Sequence, residues 1–435
     1  MATVARFWRA RNLRDNPFFQ VALEPSDDAR YPIHLFVGRT VEAERILAAM
    51  ESSDSRSAIQ GAPGVGKTSL VQYVKARAAE GGIASTEGWV VLGSGADLEN
   101  VLLQILGEVY FALMGADAGE FQEREPMKAA RQLLLAYEIE GGGVSFGIAT
   151  VSGGVSRSSS THAGPGAALV HVPRLLRELA GIALRSRGLR GVLVHLNNLE
   201  NPTEANAQNA SQVLRDLRDH CLLVPGLHYI VAGTDSAVRQ VISGQPQLRG
   251  VFGVPEIISP LESDEVQDLL QRRYEYLRIN RDEPVPPFVT TDSLTELYRL
   301  FKGDLRSTLQ ALEEAAKRLA PLAEHPTDPM DEHALRRVLK NVYQQMVRAR
   351  LNATLLRHVE RLVARVGRDP FTRADFAKAI ERTDRQSRVI LSELEANEIV
   401  QSVGQEEADG PGRPAEIFAL TGTAHLAFTV DPEAA

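Results

Sequence analysis

Eight consecutive residues, Gly61-Ala62-Pro63-Gly64-Val65-Gly66-Lys67-Thr68, constrain this chain more than any others. They fit Gly-x-x-x-x-Gly-Lys-Thr, with a short apolar step at Ala58-Ile59 before them and an amphipathic run to about Ala79 after them. The stretch therefore reads strand, loop, helix, the setting in which such a match carries meaning. Glycines let backbone N–H groups close around phosphate oxygens, and the N-terminus of the following helix adds its positive dipole. Lys67 supplies a full charge, Thr68 a hydroxyl for Mg²⁺, and Ser69 completes the cradle. ATP with Mg²⁺ is the expected ligand.

The rest of the chain suits that start. Trp89 to Leu92, Gly191 to Leu196 and Leu227 to Thr234 are apolar runs of the buried-strand kind, and helical patterns over Leu98–Met114, Val172–Arg187 and Ala205–Asp219 separate them. Alternating strands and helices predict a three-layer α/β domain with a parallel sheet over 36–258, after an extended N-terminal arm over 1–35. A Gly/Ser-rich stretch over 141–166, with Val144, Phe146, Ile148 and Val151 nearly alternating, reads as an inserted hairpin. From Leu261 the periodicity is helical, which predicts a helical lid over 259–345, with a hinge beginning in Glu324–Asp331. Helical patterns over Leu351–Val366, Arg373–Ile380 and Gln386–Ile399, then Val400–Val403 and Ile417–Leu420, predict a winged helix-turn-helix over 350–430.

Composition excludes several alternatives. With 435 residues, 44% apolar and 24% charged, the chain is a folded, soluble protein of several domains. One cysteine, Cys221, rules out an intrachain disulfide or a cysteine zinc site, which fits a cytoplasmic setting; it reads as a small core residue in a strand-like Cys-Leu-Leu-Val. His195 reads as a hydrogen-bonded interior histidine, and ten scattered histidines show no metal spacing. No signal sequence or membrane segment is evident. Seven lysines against 41 arginines point to a GC-rich, bacterial genome.

Phe36-Val37-Gly38-Arg39 lies about two dozen residues before the phosphate loop, after Asn16-Pro17-Phe18. With the loop, these residues resemble AAA+ ATPases of the origin-recognition and replication-initiator type over nearly the whole chain. The resemblance gives Phe36, Val37, Gly38 and Arg39 an adenine-pocket role. It also assigns the strand-end Thr234 to positioning of the attacking water, and Arg306, in Lys302-Gly303-Asp304-Leu305-Arg306, to the γ-phosphate from the lid. An ion pair of Arg306 with Asp304 is the competing reading. Arg249 matches the position that meets a neighbouring subunit's phosphate, which implies a homo-oligomer; Arg239 competes for that role.

One departure from the family stands out. Where two acids should end the strand at Leu196, this chain has Asn197-Asn198-Leu199-Glu200. Amides can orient a water but cannot accept its proton, so hydrolysis should be slow or absent unless Glu200 or Asp235 substitutes. Alternatively, Asn197 and Asn198 only cap a turn.

Charge is unevenly spread. Between Leu335 and Ile390 there are fourteen Lys/Arg against five acids, a balance of +9 in a chain of net charge −8. A basic block on a winged-helix pattern is the footprint of DNA binding. Arg385, Gln386 and Arg388 start the third helix, where side chains reach base edges, and Arg413 sits at the hairpin tip beside Glu406, Glu407 and Asp409. The expected function is coupling of nucleotide state to DNA binding. The alternative is a nucleotide-gated signalling, defence or transposition-regulator switch whose winged helix contacts protein.

Overall fold

The computed structural model describes residues 2–25, 29–92, 97–139, 167–199, 204–321, 328–367, 369–405 and 415–428. The described chain forms two compact units, one of residues 21–259 and one of residues 1–20 with 260–435. The expected insert over 141–166, Glu200, the hairpin tip with Arg413 and part of the expected hinge lie outside the described residues.

The N-terminal segment departs from the extended arm expected of it. Residues Ala2–Ala10 form helix α1, because Phe7 and Trp8 fall on one face while Arg6 and Arg9 point elsewhere. Trp8 meets Phe7, Phe18 and Phe288 at ring-centroid distances of 5.0, 5.6 and 5.9 Å, so the arm is core of the second unit. Arg273 donates to Pro17 O and Phe19 O at 3.1 and 2.8 Å and closes that packing.

In the unit of residues 21–259 a short 3-10 turn (Ile33–Leu35) precedes α2 (Thr40–Ala49), β1 (Arg56–Gln60), α3 (Lys67–Glu80), β2 (Ile83–Ala84) and β3 (Val90–Val91). Helices α4 (Leu98–Phe121), α5 (Glu125–Ile139) and α6 (Ala167–Arg185) lead to β4 (Gly191–Leu199). Then follow α7 (Glu204–Leu217), β5 (Leu227–Gly233), α8 (Asp235–Val238), α9 (Pro246–Phe252) and β6 (Glu256–Ile257). All pairings are parallel in the order β2-β4-β5-β1-β6, with β3 extending the β2 edge along β4. This is a P-loop α/β sheet with helices on both faces. Strand alternation makes the two faces: Val192, Val194 and Leu196 join the core of α4, α6 and α7, whereas Leu193 and His195 face the α3 side.

Helix α4 is long and apolar enough to cross a membrane by length and composition, but Val101, Leu102, Ile105, Leu106 and Val109 are wholly buried in that core. Cys221 is buried as expected, in a helical turn (Arg218–Leu222) that prolongs α7 rather than in a strand. His195 is also buried, but neither ring nitrogen has a hydrogen-bond partner among the described residues.

The other unit continues with α10 (Ser263–Leu277), α11 (Thr291–Leu300), α12 (Leu305–Leu319) and α13 (Glu332–Arg350). Next come α14 (Ala353–Val366), β7 (Phe371–Thr372), α15 (Arg373–Ile380), α16 (Asp384–Ala396), β8 (Val400–Gln405), β9 (Glu416–Leu420) and α17 (Gly422–Phe428). Strands β7, β9 and β8 form a small antiparallel sheet beside α14 to α16. Helix α17 returns to pack on α13, and a Cβ on Gly422 would meet the Phe301 ring at 2.5 Å.

Candidate nucleotide site and basic surface

The phosphate loop leaves β1 at the carboxyl edge of the sheet. Gly64 and Gly66 have φ of +76° and +91°, left-handed values that a residue with a Cβ adopts only under strain. Gly61 is required for a different reason: a Cβ there would lie 2.5 Å from Ile258 O. Lys67, 7% exposed, donates through Nζ to Gly61 O at 3.0 Å and Ala62 O at 2.9 Å, so its charge is held at the loop by backbone carbonyls. Thr68 and Ser69 are half-buried at the start of α3. Ala62 and Pro63 are exposed and Val65 is buried beneath the loop.

Three strand ends meet at this edge. Gly233 pairs with Gln60 on one side and with Leu199 on the other. Thr234 therefore follows directly from the strand beside the loop; it is buried, donates its amide to Leu199 O at 2.9 Å, and caps α8 by accepting from the Ala237 amide. Asn197 and Asn198 lie inside β4 rather than in a turn after it, at a register shift between Leu196 and Leu199. Asn197 accepts from the Leu92 amide at 2.9 Å through its carbonyl and, by alternation, shares the α3 face with His195. Asp235, half-buried, opens α8 next to Thr234.

Behind α3 sits a buried polar cluster. Lys75 Nζ donates to Gly88 O at 2.5 Å, and burial lowers its pKa to about 8. Burial, and then the Lys75 charge, hold His195 well below the ordinary imidazole range. In β5, burial takes His228 down to about 4 while its Nδ1 contacts Ser55 Oγ at 2.9 Å.

The segment before the loop is arranged differently from a simple apolar wall. Phe36 and Val37 are buried, and Phe36 stacks on Tyr73 of α3 at 4.5 Å. Gly38 and Arg39 follow with φ of +70° and +58°. Arg39 Nη2 donates to Ser259 O at 3.1 Å, and Nη1 lies 3.1 Å from where a Cβ of Gly66 would be. The sequence indicated a pocket role for this residue but not that its guanidinium reaches the loop, since no local pattern marks a left-handed arginine.

Arg249 and Arg239 are exposed and make no ion pair among the described residues. In the other unit, Asp304 caps α12, accepting from the Ser307 amide at 3.1 Å and from Ser307 Oγ at 2.6 Å. It is thereby occupied, and Arg306 stays exposed with no ion pair to it. The competing ion pair is replaced by a helix cap because a serine stands three residues after the aspartate.

On α16, Arg385 and Arg388 are exposed and make no ion pair among the described residues. Gln386 differs: its Oε1 accepts from the Thr383 amide at 3.3 Å while the Gln386 amide donates to Thr383 Oγ1 at 3.4 Å, so its side-chain oxygen is engaged in a capping box. Arg373 pairs with Asp384 at 2.8 Å, and Arg361 with Glu381 at 3.7 Å.

Among the described residues no group of three or more His, Cys, Asp or Glu could hold a metal ion. The Thr68 hydroxyl, at the start of α3, is a group that could meet a magnesium ion.

No protein-family model and no curated protein matches the chain. Solved structures are similar over nearly its whole length. The ORC2 protein of Aeropyrum pernix in ADPNP–ADP complexes is 14% identical with a TM-score of 0.48, covering 94% of this chain and 93% of that one. The ORC1 protein of the same organism, in complex with DNA, is 16% identical with a TM-score of 0.43, covering 90% and 92%. The Walker-type ATPase of Pyrococcus abyssi is 13% identical with a TM-score of 0.46, covering 94% and 99%.

Proposed function

We propose that this chain binds ATP with Mg²⁺ at the phosphate loop and uses nucleotide occupancy to bias DNA binding by α14 to α16, read as a winged helix, with slow or no hydrolysis. One observation carries the reading: a Gly-x-x-x-x-Gly-Lys-Thr loop between a central parallel strand and a helix, with Gly64 and Gly66 left-handed and Lys67 held against the loop. When bound, the nucleotide supplies the phosphoanhydride and the metal its divalent charge. The chain supplies backbone amides from Gly61 to Thr68 apart from Pro63, which has none, with the Lys67 charge, the Thr68 hydroxyl and a polar strand end at Thr234. Asn197 can orient a water at that edge, but an amide takes no proton from it, which is the reason for slow turnover. Arg306 would read the phosphate from the helical unit, and Arg249 would offer a guanidinium to a second copy.

The test pairs equilibrium ATP binding with steady-state hydrolysis, each with and without DNA, beside Lys67→Ala. Tight binding without turnover supports the reading. DNA-stimulated turnover would mean that a carboxylate such as Glu200 or Asp235 serves as base.

A second reading is favoured by the packing of α17 on α13, which joins the small antiparallel sheet to the helical elements in one unit. In that reading the switch is nucleotide-gated and the basic segment meets a protein. DNA affinity that does not fall with salt would support it.

A further inference from the structure

The chain passes between its two compact units twice, at Gln20–Val21 and at Ser259–Pro260. The second crossing is fastened to the phosphate loop. The Ile258 amide donates to Gln60 O at 2.7 Å, and Ile258 O occupies the space beside Gly61. Arg39 completes the attachment from the other end of the loop: one guanidinium nitrogen holds Ser259 O at 3.1 Å, and the other stands against Gly66. The backbone that puts it there is strained, since Arg39 is left-handed at φ +58° and its side chain makes no cap bond to α2. Its carbonyl accepts from the Ala43 amide at 3.0 Å as the start of α2 requires, but its side chain caps nothing there and is sent to the loop instead, and a strained residue with its side chain so placed points to a use beyond the helix.

We propose that Arg39 is a positioning residue that couples occupancy of the phosphate loop to the Ser259–Pro260 crossing. The proposal rests on the nucleotide reading above. A guanidinium has several donors in a rigid fork, and a charged phosphate oxygen is a much stronger acceptor than a neutral carbonyl. A polyphosphate in the loop therefore competes with Ser259 O for Arg39. The guanidinium turns to the phosphate, and the crossing loses its fastening. By linkage, the same competition makes nucleotide affinity depend on the state of the crossing.

The experiment is amide hydrogen exchange on the full chain, with and without ADP, together with ADP affinity by calorimetry. Wild type is compared with Arg39→Gly, which removes the guanidinium and relieves the left-handed strain, and with Arg39→Lys, which keeps the charge but not the fork. In wild type, ADP is expected to raise exchange at Ile257–Ser263 about threefold or more. In Arg39→Gly that segment exchanges fast without ADP and no longer responds to it, while ADP binds about tenfold more weakly. Arg39→Lys keeps most of the affinity and loses the response. A wild-type response and affinity in Arg39→Gly would overturn the proposal, as would bound ADP that leaves the wild-type segment unchanged. If Arg39→Gly melts early, a full wild-type response in Arg39→Lys overturns it instead. A wild type that binds ADP no better than Lys67→Ala overturns the nucleotide reading itself, and this proposal with it.

Discussion

The phosphate loop and the basic segment after Leu335 hold their charges in opposite ways. Lys67 is buried and fixed by two carbonyls of its own loop, six and five residues away in sequence. The arginines of the segment are mostly exposed, and what each can do depends on which acid the fold brings to it. Arg336 is taken by Glu332 and Glu296, Arg350 by Glu398, Arg361 by Glu381 and Arg373 by Asp384. Arg385 and Arg388 have no such pair among the described residues. The charge of Lys67 is fixed by backbone within its own loop, whereas a charged surface is what remains after distant partners have been subtracted.

The strongest way to break this comparison is at the loop. Lys67→Ala should weaken ATP binding at least a hundredfold by calorimetry, about 2.7 kcal/mol. Affinity within threefold of wild type would show that the buried lysine serves packing alone.

Acid should weaken the unit of residues 21–259 next. An unfolded His228 takes up a proton near its ordinary value of 6.5, but the buried ring refuses it until about 4. In that window the unfolded chain binds more protons, so the stability of residues 21–259 should fall as pH drops from 6.5 to 4, by up to about 1.4 kcal/mol per pH unit. His195, also held low, adds to the loss. The two tryptophans, Trp8 and Trp89, lie one in each unit, so a Trp8→Phe variant lets Trp89 fluorescence report urea unfolding of the nucleotide unit alone. A midpoint independent of pH across this window would contradict the buried neutral rings.

On the surface side, Arg385→Ala and Arg388→Ala should each weaken DNA binding about tenfold and lower the salt slope by about one. Arg373→Ala, with its cation already paired, should cost less than threefold. Equal losses for all three, measured by anisotropy titrations at several salt concentrations, would erase the distinction between paired and available arginines.

The smallest expected effect sharpens it further. Gln386→Ala should cost about 1 kcal/mol of stability through the lost capping box and leave DNA affinity within twofold. A tenfold loss of affinity with unchanged stability would return Gln386 to base readout.

Much of the α/β unit was legible because its signals are local. Continuous apolar runs predict β4 and β5, and the loop spacing predicts the turn between β1 and α3. The helix at Ala2–Ala10 was missed because its partners, Phe288 above all, lie far along the chain. The apolar run ends at Leu196 and so predicts Asn197 and Asn198 after the strand, although backbone pairing with β3 and β5 carries β4 on to Leu199. The alternative pair of Arg306 and Asp304 failed because Ser307 offers the carboxylate a shorter-range partner.

The sequence by itself determined the phosphate loop and the parallel sheet that presents it, since glycine's backbone freedom and strand hydrophobicity act within a few residues. Only the tertiary structure decided which arginines stay available and that Arg39 reaches both Gly66 and Ser259. Those outcomes depend on groups 48 residues apart for Arg350 and Glu398, and 220 apart for Arg39 and Ser259. No pattern along the chain encodes such distances, because only the folded backbone brings those groups together.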